Sequence, residues 1–268
     1  MKIGLLGVGA IAEAMVIGLC TAGHYTDTVV LSPRSTARSS SLSNTFANVV
    51  VAESNQEVVN RCDLVFVAVL PGQFEACMSA LEFGSEVRVV SLVAGFSIDE
   101  IKELVRPASA VSRIIPLPPV EYGLGAIPLF PRDEQLESLL GTIGNVVHIS
   151  DEKEFLAFTT ASSMMATFFE FSARVAGWME SRGVGSEQAA VYSASTFEAL
   201  AKMAGDEPEK LNELADECLT KGGLNEQVLF ELRDRGWFDR IDDRLNGIAT
   251  RLETWAEEMA QSRNRPAD

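Results

Sequence analysis

Short apolar runs alternate with amphipathic stretches over the first 150 residues of the chain. Five of these runs are rich in β-branched side chains and carry almost no charge: KIGLLG at 2–7, TVVLS at 28–32, NVVVA at 48–52, DLVFVAV at 63–69 and RVVSLV at 88–93. Strands that are covered on both faces of a sheet have this composition. The pattern therefore predicts βαβ units on a doubly wound parallel sheet, and an α/β fold class for residues 1–150.

The strand signals continue to residue 150 and then stop. Further apolar runs predict strands at 110–115, 125–130 and 145–150, and the Ser97–Glu100 pair in SIDE is a capping box that starts a helix. A helix is also expected near 133–143. Beyond residue 150 the apolar spacing is helical throughout, with Gly and Pro between segments, and predicts helices near 152–181, 186–204, 208–219, 225–235 and 238–262. Residues 151–268 are therefore predicted to form a second, all-helical domain.

The first long helix of the second domain is apolar almost all round between residues 155 and 178. A single layer of helices cannot cover all sides of such a helix, so a further partner must cover the remaining apolar surface. A helical domain of this size has little core of its own, and we expect the partner to be a second copy of the chain, in a homodimer or a higher homo-oligomer. Burial within the monomer is the alternative.

Charge and cysteine content exclude several classes of partner. The formal net charge is −16, which disfavours nucleic acid because a phosphate-binding surface needs clustered Lys and Arg. The four cysteines show no CxxC spacing, so neither a disulfide framework nor a metal site is expected, and a reducing cytoplasm fits best. The longest uncharged apolar run, 155–169, is shorter than the ~20 residues of a membrane-spanning helix. We expect no membrane segment.

A glycine-rich turn joins the first strand to the first helix. Gly7, Gly9 and Ala12 have the G-x-G-x-x-G/A spacing, with Ala10 and Ile11 between them. The glycines permit a tight turn and close approach of a pyrophosphate to backbone N–H groups at a helix N-terminus, and the alanine lets the helix pack closely on the sheet. These five residues are predicted to bind a dinucleotide in a Rossmann-type domain.

The end of the second strand carries a small basic patch, LSPRSTAR at 31–38. An NAD-binding protein usually has Asp or Glu here to accept a hydrogen bond from the ribose 2′-hydroxyl, but position 32 is Ser. Ser32, Arg34 and Ser35, with Arg38 next to them, would instead bind a 2′-phosphate through charge-assisted hydrogen bonds. The cofactor is therefore predicted to be NADPH.

The chain resembles the pyrroline-5-carboxylate reductase family over essentially its whole length. The resemblance is carried by GVGAIAEAM at 7–15, SPRS at 32–35, VAVLP at 67–71, SLVAGFSIDEI at 91–101, SRIIPLPP at 112–119, FTTASS at 158–163 and TKGGLNEQ at 220–227. It implies a Rossmann domain followed by a helical dimerisation domain, and reduction of a small cyclic imine to L-proline with NAD(P)H. It also implies that the nicotinamide lies over Val69, Leu70, Pro71, Ala94 and Gly95.

The same resemblance places the substrate at two segments of the helical domain. Asn225 lies at a helix N-terminus beside a glycine pair, where an anion is favoured, and it is the first candidate for the reaction together with Ser162. An ordinary N-cap role for Asn225 stays open. The predicted substrate-binding residues are Ser163, Thr220, Gly222, Gly223 and Asn225.

Two other functions stay open. The family pattern P-N-T-P is Pro116-Leu117-Pro118-Pro119 here, and the loss of polar groups would suit a non-catalytic NADPH-binding regulator or sensor. A hydroxyacid or 6-phosphogluconate dehydrogenase would need a lysine on the first long helix of the second domain. Residues 154–201 contain no Lys, which disfavours that class. His24 and His148 are expected to be structural.

The basic patch allows the predicted preference for NADPH over NADH to be tested. Arg34→Asp removes a cation and adds an anion beside the predicted 2′-phosphate, whereas NADH has no phosphate there. We expect the KM for NADPH to rise at least about tenfold, since one charge-assisted hydrogen bond is worth roughly 1.5–3 kcal/mol. The KM for NADH should change much less. Equal effects on both cofactors in steady-state kinetics would contradict the assignment.

Overall fold

An eight-stranded, mostly parallel sheet is the centre of the first half of the chain. The computed structural model describes residues 1–108 and 110–263. The strands are β1 Ile3–Leu6, β2 Val29–Leu31, β3 Val49–Val51, β4 Leu64–Val67, β5 Arg88–Ser91, β6 Ala110–Ile114, β7 Ala126–Phe130 and β8 Asn145–His148. They lie in the order β3-β2-β1-β4-β5-β6-β7-β8, so the chain starts inside the sheet and winds outward to both sides. The predicted doubly wound fold class is confirmed.

Strands β6 and β7 form an antiparallel pair, with Arg113 opposite Phe130. The other neighbouring strands are parallel. A parallel return requires a crossover of about a dozen or more residues, usually an α-helix. The β6–β7 connection instead contains the 3-10 helix Pro118–Tyr122, and the chain turns back beside the strand that it has just left.

Helices cover both faces of this sheet. They are α1 Ala10–Cys20, α2 Thr36–Thr45, α3 Asn55–Arg61, α4 Pro71–Ser79, α5 Ile98–Leu104 and α6 Glu134–Leu140. On one face, Met15 and Leu19 of α1 pack with Leu5 of β1. On the other, Phe74 of α4 and Ile101 of α5 join a second apolar cluster. Two buried faces explain why the strands are apolar along their whole length.

The predicted capping box is present at the start of α5. The Ser97 hydroxyl accepts a hydrogen bond from the Glu100 N–H, and the Glu100 carboxylate accepts one from the Ser97 N–H. Two N–H groups at the helix start are thereby satisfied, as the SIDE sequence predicted.

Close packing holds α1 against the β6–β7 connection. A Cβ atom at Gly18 would lie 2.1 Å from the carbonyl oxygen of Val120, so only glycine permits this approach. The connection carries Pro116–Pro119, which the family resemblance connects with the substrate.

The second half of the chain is helical. Its helices are α7 Phe155–Ser162, α8 Met165–Ser181, α9 Ser186–Asp206, α10 Leu211–Glu217, α11 Leu224–Asp234 and α12 Asp239–Arg263, with 3-10 helices at Glu152–Glu154 and Pro208–Lys210. Contacts between residues divide the chain into two compact units. The first unit comprises Met1–Thr159 and the chain from Leu252 onward, and the second comprises Thr160–Arg251. The predicted domains, 1–150 and 151–268, differ from these units at both junctions and stay a prediction. No helix of the described residues is long and apolar enough to cross a bilayer.

The single helix predicted over 152–181 is wrong, because the chain breaks between α7 and α8. The N–H and hydroxyl of Ser163 both donate to the Thr160 carbonyl, at 3.1 and 2.7 Å. A serine side chain that competes for a backbone carbonyl in this way tightens the turn and ends the regular helix.

Candidate active site

Four predicted cofactor segments follow four neighbouring parallel strands. Gly7–Ala12 follow β1, Ser32–Ser35 follow β2, Val69–Pro71 follow β4, and Ala94–Gly95 follow β5. Because the carboxyl ends of parallel strands meet at one edge of the sheet, the segments line that edge in the order β2-β1-β4-β5. Doubly wound sheets bind their ligands at this edge, where the strand order reverses.

The turn after β1 requires glycine at its first position. Gly7 has φ +85°, and a Cβ there would lie 2.8 Å from the Ala68 carbonyl oxygen. Ala12 is fully buried, as expected for the residue that packs α1 closely on the sheet.

The N-terminus of α1 is open to an anion. Gly9 is the N-cap and provides no side-chain cap, so the first N–H groups of the helix, from Ala10, Ile11 and Ala12, have no intrahelical acceptor. Apart from Gly9 and its two chain neighbours, no described residue has an atom within 4 Å of the place where a Cβ at Gly9 would be. A pyrophosphate would find both the donors and the space that it needs.

Ser32 connects the two nucleotide-binding loops. Its side chain is buried, and its hydroxyl oxygen accepts a hydrogen bond from the Gly7 N–H at 3.0 Å. Its own carbonyl accepts one from the Ser39 hydroxyl at 3.0 Å. The serine that replaces the usual acidic residue thus holds the glycine-rich turn in place. Its contact with a 2′-phosphate stays a prediction.

The two arginines of the basic patch differ in their partners. Arg38 donates from Nε to Glu13 of α1 at 2.8 Å, so an acidic group already compensates its charge. Arg34 is exposed and has no ion-pair partner among the residues that the structure describes. Ser35 immediately precedes α2 and is half-buried. Arg34 therefore has the charge that is free to bind a phosphate.

Two residues beside Arg34 escaped the sequence analysis. The Asn55 amide donates to the Cys77 thiol at 3.6 Å. Burial raises the pKa of that thiol, while the Asn55 hydrogen bond and the nearby Arg34 charge act in the opposite direction. Asn55 begins α3 directly after β3, and its position after a strand was the available signal.

The nicotinamide side of the edge has two different segments. Leu70 is exposed and caps α4, with Pro71 in the first helical position and Val69 half-buried before them. Ala94 is exposed, and Gly95 has φ +83°. The polar groups on the nicotinamide side of the edge are therefore mainly those of the backbone.

Three of the predicted substrate-side residues, Thr220, Gly222 and Gly223, form one turn before α11, and the fourth, Asn225, lies in the helix itself. Gly222, with φ +73°, donates its N–H to the Glu226 carboxylate at 2.6 Å, and Thr220 accepts from the Gly223 N–H. Gly223 is the N-cap, and Asn225, in the first turn of α11, donates to the Cys218 carbonyl at 3.1 Å. The ordinary N-cap role considered for Asn225 therefore belongs to Gly223.

Ser162 and Ser163 lie at the break between α7 and α8. Ser163 is tied to the Thr160 carbonyl, whereas Ser162 ends α7 and is half-buried. The buried hydroxyl of Thr160 has no hydrogen-bond partner among the described residues. Buried polar groups normally have a partner, so this hydroxyl is a further candidate ligand contact.

Both histidines have structural surroundings. His24 lies in the loop that returns from α1 to the start of β2, away from the carboxyl edge. His148, on the edge strand β8, contacts Glu137 at 2.9 Å. Its hydrogen bond is the largest of the effects that lower the pKa of that carboxyl. The described residues contain no group of three or more His, Cys, Asp or Glu placed to hold a metal ion.

Two family models match different parts of the chain. Residues 2–95 match the family model described as NADP oxidoreductase, coenzyme F420-dependent, and residues 152–254 match pyrroline-5-carboxylate reductase dimerisation. The pyrroline-5-carboxylate reductases of Haemophilus influenzae and Pseudomonas aeruginosa are each 25% identical to the chain. They cover 85% and 97% of it, and the chain covers 87% and 98% of them.

Solved structures share the fold. The Streptococcus pyogenes 1-pyrroline-5-carboxylate reductase has a TM-score of 0.80 at 23% identity, over 95% of this chain and 98% of that one. A Plasmodium falciparum pyrroline carboxylate reductase with NADP bound has a TM-score of 0.80 at 16% identity, over 96% and 98%.

Fold and site together define a dinucleotide-binding oxidoreductase with a helical dimerisation domain. The chain is similar to pyrroline-5-carboxylate reductases over nearly its whole length, and residues 152–254 match the dimerisation domain of that family.

Ser32 has two candidate roles, to hold the Gly7 turn or to bind the 2′-phosphate, and a substitution distinguishes them. Ser32→Ala leaves the Gly7 N–H without its acceptor, at a cost of about 1–3 kcal/mol. We expect affinity for NADPH and NADH to fall together by about tenfold in fluorescence titrations. Ser35→Ala, the matched control, should weaken NADPH alone. A Ser32→Ala variant that weakens only NADPH would instead assign Ser32 to the 2′-phosphate.

Proposed function

We propose that this protein reduces pyrroline-5-carboxylate, a small cyclic imine that carries a carboxylate, to L-proline with NADPH. One observation carries the proposal. The predicted dinucleotide-binding edge, which lies largely in the part matched by an NADP oxidoreductase model, shares its chain with a pyrroline-5-carboxylate reductase dimerisation domain.

The residues of the edge fit a nicotinamide dinucleotide. Uncapped N–H groups at the start of α1 would bind the pyrophosphate, and Arg34 would bind the 2′-phosphate and favour NADPH over NADH. Val69–Pro71 and Ala94–Gly95 would lie under the nicotinamide. When bound, this cofactor supplies the hydride that reduces the imine carbon.

The protein's part in the reaction is mainly positioning. A protonated imine already carries its proton on nitrogen, so hydride addition requires alignment more than a strong acid. The surroundings of His24 and His148 agree with this, because one is in a loop away from the carboxyl edge and the other contacts Glu137.

Two polar segments of the second unit are proposed for the substrate. Asn225 and the turn from Thr220 to Gly223 would bind its carboxylate and ring nitrogen, because α11 starts at this turn without a side-chain cap and a helix N-terminus favours an anion. Ser162 would donate to the same ligand, and Ser163 would do so by giving up its hydrogen bond to the Thr160 carbonyl. Thr160 joins this set because its buried hydroxyl lacks a partner among the described residues.

The two alternative functions are not favoured by the comparisons. The relatives that match across the chain are named pyrroline-5-carboxylate reductase, an enzyme. Residues 154–201 lack the lysine that a hydroxyacid dehydrogenase would need. The cytoplasmic location expected from the cysteine pattern stays a prediction.

Turnover with a panel of substrates tests the function. NADPH oxidation is measured with pyrroline-5-carboxylate, pyrroline-2-carboxylate and piperideine-2-carboxylate, and hydroxy acids are tested with NADP⁺ in reverse. We expect pyrroline-5-carboxylate to be the preferred substrate, with a kcat of about 1–10³ s⁻¹, the usual range for enzymes. Tight NADPH binding without turnover would support a sensor, and hydroxy-acid oxidation a dehydrogenase.

We also propose that the second unit is covered by another copy of the chain. Its helices expose large apolar side chains, among them Phe169 at 68% and Trp178 at 60%, while Ala189 is the buried apolar residue of its helix α9. Large exposed apolar side chains in this number are typical of an association surface. The dimerisation domain that the unit carries agrees with a homo-oligomer.

Light scattering after size-exclusion chromatography tests the assembly. Phe169→Glu replaces an apolar ring, whose burial stabilises by roughly 1.5–3 kcal/mol, with a charge that is costly to bury. We expect dimers to give way to monomers. Leu124→Glu alters a comparably exposed leucine of the first unit and should leave the mass unchanged. An unchanged mass for Phe169→Glu would contradict this interface.

A further inference from the structure

A cavity of about 510 Å³ lies within the first unit, beside the loop from β5 to α5. This volume is typical of small-molecule sites. Its wall includes Ala94 and Gly95 from the loop and Arg113 from β6. The C-terminal turns of α12 complete the wall with Leu252, Trp255 and Ala256, which lie on one face of that helix.

Trp255 packs directly on Gly95. If Gly95 carried a Cβ atom, that atom would lie 2.9 and 3.0 Å from two carbons of the indole ring, too close for any side chain. The positive φ of Gly95, +83°, independently requires glycine. The indole ring therefore rests on the backbone of the loop at the point where the loop bends.

Both ends of this loop are fixed by other contacts. At the start, the Leu92 N–H donates to the Val67 carbonyl at 2.9 Å. At the end, Phe96 packs on Phe74 with ring centroids 4.4 Å apart, and the capping box of Ser97 begins α5. Between them, Trp255 covers Gly95, while Ala94 stays exposed.

Another part of the cavity wall is held by contacts of Glu152 and Arg113. Glu152 accepts from the Ile98 N–H at 2.8 Å and from Arg113 at 2.6 Å, and the Arg113 guanidinium lies 4.5 Å from the centre of the Phe155 ring. The Arg113 guanidinium in the cavity wall is thus already paired and stacked.

The position of the loop decides which half of the cofactor it serves. In a doubly wound fold each half of the sheet binds one nucleotide. The glycine-rich turn after β1 and Arg34 after β2 serve the adenosine half, so the loop after β5 belongs to the nicotinamide half.

We infer that Trp255 is a positioning residue for the nicotinamide. It acts through Gly95, by holding the Ala94–Gly95 backbone in the conformation that receives the ring. This inference rests on the proposed cofactor, and it extends beyond the matched dimerisation model, which ends at residue 254. The end of the C-terminal helix would then be part of the active-site framework.

Ligand binding distinguishes this role from a general loss of structure. Adenosine 2′,5′-bisphosphate contains only the adenosine half, so its affinity should be the same for wild type and Trp255→Ala. NADPH affinity should fall about tenfold if the loop is correctly placed a tenth of the time without the indole. Trp255→Phe should restore most of it, and Glu257→Ala, an exposed residue of the same helix, should have no effect. Parallel loss of both ligands would overturn the inference.

Kinetics give a second readout. With pyrroline-5-carboxylate, Trp255→Ala should lower kcat by about tenfold to a hundredfold, the usual cost of a misplaced reacting group. Gly95→Ala should be impaired as well, and the double variant should lose less than the product of the two single losses, because the residues are in contact. If the loss of kcat in the double variant equals the product of the two single losses, Trp255 does not act through Gly95. If wild type binds NADPH but reduces no imine, the proposed substrate fails, and the binding comparison still tests Trp255.

Discussion

The tight turn at Gly7 is the constraint on which the rest of the site depends. The turn leaves β1 against the Ala68 carbonyl, and its N–H is held by the hydroxyl of Ser32. That single hydrogen bond joins the loop after β1 to the loop after β2. The direction of α1, and so the direction of its uncapped N–H groups, follows from this turn.

Charge at the site is local and differs from that of the whole protein. A net charge of −16 opposes phosphate binding in general, so a dinucleotide needs specific compensation where it binds. Glu13 compensates Arg38, and Arg34 keeps its charge for a ligand. Neutral backbone N–H groups of α1 supply the remaining attraction, since they do not depend on net charge.

The second unit has many exposed apolar side chains and few buried ones. Its exposed aromatic side chains include Phe168, Phe171 and Phe230, whereas the polar Ser193 is buried through a hydrogen bond to the Ser172 carbonyl. A layer of helices with so few buried side chains gains its stability from whatever covers it. The dimerisation model that matches this unit agrees with its exposed apolar side chains.

The sequence by itself determined the strands, the glycine-rich turn and the capping box. Each of these depends on residues close together in the chain: β-branched apolar runs, Gly7 with Gly9, and Ser97 with Glu100. It also indicated the basic patch, because Arg34 follows β2 directly. It missed the break at Ser163, where a side chain competes with the helix for the Thr160 carbonyl.

Tertiary structure alone decided that Ser32 holds Gly7, that Glu13 neutralises Arg38, that Asn55 and Cys77 lie beside Arg34, and that Trp255 rests on Gly95. These partners are distant along the chain, and only the packing of helices on the sheet brings their atoms into contact.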